Sequence, residues 1–125
     1  MANKAAGELE ITLDGKPYTL RPTYGAVIEF EDLSGLAVFE AMSHAGERKS
    51  TPLKVITSAF YACMKPCWKP SMGVMPTQSQ VGAAIYKDGI PNHLSSYFTL
   101  LGNMMSGERA LEEASKKMDG EPGNV

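Results

Sequence analysis

Residues 9–23 read LEITLDGKPYTLRPT: apolar and polar positions alternate, the chain turns on Asp14-Gly15, the alternation resumes, and a helix-start signal follows at Thr23. Asp-Gly is a strong two-residue hairpin signal, because a type I′ turn needs positive φ at both central residues. The turn sets the register: Leu13 faces Lys16, Ile11 faces Tyr18 and Leu9 faces Leu20. Leu9, Ile11, Tyr18 and Leu20 then share one face, and Glu8 pairs with Arg21 across the other. Pro17 falls in a non-hydrogen-bonded pair, so its outer edge is expected to carry no third strand. A lone two-stranded hairpin is marginal in water, so its apolar face must rest on the helices that follow.

The 125 residues suit one domain with a single core. An apolar fraction of 43% and a charged fraction of 21% are those of a folded chain, and the net charge of −2 supplies no basic field for nucleic acid. The N-terminus lacks a signal-peptide pattern and no stretch has the length of a membrane span, so a cytosolic location with neither nucleic acid nor membrane as partner is expected. Residues 1–7 read as a flexible N-terminus, 8–105 as one globular domain (hairpin 8–21, helical body 23–105), and 106–125 as a polar extension. That extension is expected to be helical to about Lys117 and disordered at its end. The fold class expected is α+β, mainly α-helical, with an N-terminal two-stranded β-hairpin packed on a bundle of about four to five helices.

Thr23 caps a helix to about Leu33, closed by Ser34-Gly35. Tyr24, Val27, Ile28, Phe30 and Leu33 form its apolar arc, and Glu31 falls inside that arc. "LAVFEAMSHA" gives a second helix, and Thr51-Pro52 reads as a cap with proline at the first helical position. A third helix lines up Leu53, Ile56, Ala59, Phe60, Cys63 and Met64, with Pro66 ending it. Residues 65–77 hold three prolines and a glycine, hence a loop, though Trp68, Met72, Val74 and Met75 make it unusually apolar. Thr77 and Gln80 have capping-box spacing for a helix to about Lys87, and Asp88-Gly89 closes it. Pro91-Asn92 opens the last apolar helix, where Leu94, Tyr97, Phe98, Leu101, Met104 and Met105 recur at three and four. From Thr77 to Met105 the only charges are Lys87 and Asp88, so this segment is either buried or covered by another chain.

Catalytic motifs are missing: there is no phosphate-binding glycine loop, zinc-protease helix or nucleophile elbow. Cys63 and Cys67 are spaced C-x3-C, with His44 and His93 as the only nitrogen ligands to complete a metal site. Free cysteines in a reducing compartment are the plainer reading, and no cofactor is expected. Glu29, Glu31 and Asp32 form either an acid/base set with His44, a solvated helix end, or acids aimed at a basic partner. Charge is segregated: residues 23–50 carry five acids and two bases, and residues 51–76 three lysines and no acid. Eight methionines add flexible apolar area suited to irregular partners or to filling the core.

Leu13-Asp14-Gly15, Pro17-Tyr18, Leu20-Arg21 and Gly25-Ala26 through Leu33-Gly35 together resemble the start of the tail assembly chaperone family of long-tailed phages, prophages and gene transfer agents. In that family a hairpin with an LDG, PY, LR pattern runs into an acidic helix closed by glycine. The resemblance covers residues 7–35. Farther on, "TQSQVGAAIYKDGI" and "LSSYFTLLGNMM" stand where the family has its later helices, whereas the loop at 65–76 departs from the pattern. The resemblance implies a protein without enzymatic activity in the host bacterial cytoplasm. It would hold the apolar helical tape measure protein, yield it to the tail tube protein as the tube polymerises, and form a homo-oligomer in some settings. Its partner surface would be the acids Glu29, Glu31 and Asp32 with the apolar Tyr97, Phe98, Leu101, Met104 and Met105. The competing expectations are a structural virion component, such as a tail tube or connector subunit, and a small enzyme or metal module built on the cysteines and histidines.

Overall fold

The computed structural model describes residue 3, residues 6–47 and residues 51–120. The expectations of a flexible N-terminus and a disordered end fall largely on residues 1, 2, 4, 5 and 121–125, outside that range. Strand β1 (Leu9–Leu13) pairs antiparallel with β2 (Lys16–Leu20) in the register expected, and Thr12 faces Pro17. Asp14 at φ 50° and Gly15 at φ 80° make the type I′ turn. The sheet has two strands among the described residues. Glu8 and Arg21 meet across the outer face at 4.0 Å.

Helix α1 (Tyr24–Ser34) starts where Thr23 Oγ1 accepts the Ala26 N–H and ends at Gly35, whose φ of 77° suits the left-handed cap. Its inward residues are Ala26 and Phe30, one turn apart, with Val27 packed beside them. The expected apolar arc is therefore rotated. Tyr24 is 82% exposed and Ile28 also faces out, because the central helix α3 takes the Ala26–Phe30 side.

Helix α2 (Val38–Gly46) follows, then α3 (Leu53–Met64). Pro52, not Thr51, occupies the cap position of α3, and no side chain caps it: proline's extended backbone at φ −62°, ψ 144° starts the helix one residue later than the sequence implies. Helix α3 is the axis of the molecule. It contacts α1, β2 and the two later helices, and everything from Val55 to Met64 except Tyr61 is buried. Such all-round burial leaves Ser58 inside, where its hydroxyl donates to the Lys54 carbonyl (2.7 Å) and accepts from Gln78. Past Met64 the chain makes two 3-10 turns, Lys65–Cys67 and Pro70–Met72, in the segment expected to be a plain loop.

Helix α4 (Gln78–Asp88) opens with the expected capping box, Thr77 Oγ1 accepting from Gln80 N–H and Gln80 Oε1 from Thr77 N–H. Helix α5 (Pro91–Gly120) bends where Gly107 leaves helical geometry at φ 79°, ψ 162°. The hairpin does brace the helices: Ile11, Leu13 and Leu20 are buried in the same core as Phe30, Phe60, Ile85 and Tyr97. Arg21 N–H donates to the Cys63 carbonyl (2.8 Å), pinning the end of β2 to the end of α3. Asn103 of α5 donates to the Gly7 carbonyl (3.1 Å).

Candidate functional site

The three acids assigned to partner contact have different situations. Glu29 is paired with Lys65, whose ammonium also lies 4.9 Å from the Tyr61 ring centre; the hydrogen bond to Glu29 holds Lys65 above its ordinary range. Glu31 Oε2 accepts the Val38 N–H (2.9 Å), so its carboxylate caps α2. It is neither a merely solvated helix end nor free for a partner without uncapping α2. Asp32 is exposed. His44 lies half-buried on α2 and forms no hydrogen bond or ion pair with these acids among the described residues.

The apolar candidates on α5 divide by helix geometry. Tyr97, Leu101 and Met104, together with Leu100, point into the core, and burial pushes the Tyr97 hydroxyl up to about 12. Phe98 and Met105, seven residues apart on the flank about 100° round the helix from Tyr97, are 41% and 42% exposed. Gly102 between them faces open space, and their neighbours Ser95, Thr99 and Ser106 are exposed and uncharged. The periodicity that found this helix could not tell its two apolar faces apart, since both repeat at three and four. Elsewhere Tyr24, Phe39 (73% exposed), Val74 and Tyr86 stand out from the surface. Among the methionines whose side chains are described, Met64 and Met104 belong to the core, Met42 and Met75 pack against it, and Met72 and Met105 are exposed.

Cys63 is buried and Cys67 half-buried, both free; burial raises both thiols above their ordinary range. No group of three His, Cys, Asp or Glu converges as a metal site among the described residues. His93 is instead part of a latch. It is buried, its Nε2 lies 2.8 Å from Asp88 Oδ2, and its ring meets Phe60 edge-on at 5.9 Å. Asp88 also accepts the Asp14 N–H (3.1 Å), while Lys87 pairs with the Asp14 carboxylate (3.2 Å). The hairpin tip is thereby tied to the α4–α5 junction.

Trp68 gives the apolar loop its reason. Its ring stacks on Tyr18 (centroids 6.2 Å, planes 23° apart), and its Nε1–H donates to the Gly73 carbonyl (2.8 Å). Beside this pair a cleft of about 540 Å³ opens between β2 and the 3-10 turns, with Thr19, Arg21, Cys67 and Lys69 on its walls.

These features define a small, mainly helical α+β protein, with no helix among the described residues long and apolar enough to cross a membrane. Set against known protein families, characterised proteins and solved structures, the chain matches none.

Proposed function

We propose that this protein is a tail assembly chaperone of a phage, prophage or gene transfer agent, acting in the host bacterial cytoplasm without enzymatic activity. It binds the tape measure protein and releases it to the tail tube protein. The observation that carries this reading is the exposed flank of α5, where Phe98 and Met105 stand on either side of Gly102 with the uncharged Ser95, Thr99 and Ser106 beside them. An apolar ridge with a notch suits an apolar helix laid against it, and the modest exposed area suits a partner that must later be displaced. The resemblance of residues 7–35 to the family supports the same reading.

A tail tube or connector subunit is the competing reading. Tube subunits close sheets into rings, and a single two-stranded sheet among the described residues does not favour it. The test is co-expression with the tape measure protein from the same genome. The chaperone reading predicts that the tape measure protein becomes soluble and co-purifies; a tape measure protein left insoluble while this chain assembles alone into rings or tubes would overturn it.

A further inference from the structure

We propose that the cleft between β2 and the 3-10 turns binds an extended peptide segment bearing acidic side chains. This site lies apart from the α5 face and does not depend on the chaperone reading.

The volume, about 540 Å³, falls in the range of sites that enclose a few residues of a ligand. One wall is the stacked Tyr18–Trp68 pair, a rigid aromatic surface held by the Trp68–Gly73 hydrogen bond. The edge of β2 beside Tyr18 lines the cleft as well. In the observed register Lys16, Tyr18 and Leu20 direct their backbone groups to β1, so those of Pro17, Thr19 and Arg21 point away from it. Pro17 has no N–H and Arg21 N–H is taken by Cys63, which leaves the Thr19 N–H and carbonyl to pair with one residue of an extended chain.

Charge selects the partner. Among the described residues Lys69 has no carboxylate partner, and the one carboxylate contact of the Arg21 side chain is that with Glu8 at 4.0 Å. Lys65, the neighbouring cation, is already paired with Glu29. Both open cations lie close to Cys67 at the cleft: their pull lowers its thiol, against the stronger upward push of burial and Glu8. Two cations facing one acid favour a carboxylate and repel a basic segment. The strand edge and aromatic wall in turn call for a backbone and side chains, which a free anion lacks.

Trp68 is the only tryptophan, so the protein carries its own reporter at the site. The experiment is a fluorescence titration of the full chain with the peptide acetyl-GEVEVEG-amide, its lysine counterpart acetyl-GKVKVKG-amide, and sodium glutamate. The expected result is a saturable change with the acidic peptide alone, weakened about tenfold or more by Lys69→Glu. Lys69 is exposed, so the variant should keep the wild-type circular dichroism melt; Lys69→Gln, expected to weaken binding less, serves if it does not. No saturable change with the acidic peptide, equal affinity for the lysine peptide, or affinity unmoved by either substitution would overturn the proposal. So would glutamate saturating the signal as tightly as the peptide, which marks a simple anion site.

Discussion

Glu31 on α1 accepts the backbone N–H of Val38, 2.9 Å away, so the first turn of α2 is capped by a side chain seven residues upstream. Ala37, at the usual cap position, has no side chain able to do this. The bond fixes the angle between α1 and α2 as well as the helix start. Glu31→Ala is therefore expected to cost about 1 kcal/mol, read as a lower urea midpoint at unchanged slope. Glu31→Gln keeps an acceptor oxygen and should lose less. Equal stability of Glu31→Ala and wild type would show that the cap contributes nothing.

Gly82 on α4 packs against Thr57 of α3. A Cβ there would lie 3.1 Å from Thr57 Oγ1 and 3.3 Å from its Cγ2, and Thr57 is buried with little room to move. Alanine gains about 1 kcal/mol over glycine in a helix interior, so crowding and propensity oppose one another at this position. Gly82→Ala should be more favourable in a Thr57→Ala background than in wild type, with a coupling of at least about 0.5 kcal/mol in a double-mutant cycle of urea unfolding. Additive effects would mean that the contact does not limit the helix spacing.

Legibility in the sequence followed the range of the interaction that fixes each feature. The hairpin register, the Thr23 cap and the Thr77–Gln80 capping box depend on residues within a few positions of each other, and all three are as read. What was not legible depends on how helices are turned about their axes. Tyr24 and Ile28 face out and Ala26 in because α3 takes that side of α1; Tyr97 is core and Phe98 surface for a similar reason. The second role of Glu31, the latch of His93 on Asp88 and the stacking of Trp68 on Tyr18 all join elements whose placement no local pattern specifies. The acids of α1 could be noticed as candidates, but their partners could not.

The latch at the hairpin tip has a pH signature. His93 first, and then the Asp14 N–H, holds the Asp88 carboxyl below the usual carboxylate range. A carboxyl lowered on folding contributes stability that is full above its unfolded pKa and is lost as the pH falls through its folded pKa. Stability should thus decline as the pH drops below about 4, and Asp88→Asn should make that decline shallower, measured as urea midpoints across the acid range. An acid decline just as steep in Asp88→Asn would show that the Asp88 latch does not set the acid stability.

On the proposed reading, the flank of α5 that carries Phe98 and Met105, not its core face, meets the partner. The direct measurement is co-purification of the tape measure protein with the double variant Phe98→Asp, Met105→Asp, beside the thermal midpoint of the variant alone. Because both side chains keep more than half of their surface buried, the pair of changes should cost about 2–3 kcal/mol, a fall of about 10 °C in the midpoint with the fold retained. The folded variant is expected no longer to retain the tape measure protein. A variant that folds and still holds as much of it as wild type does would contradict the claim.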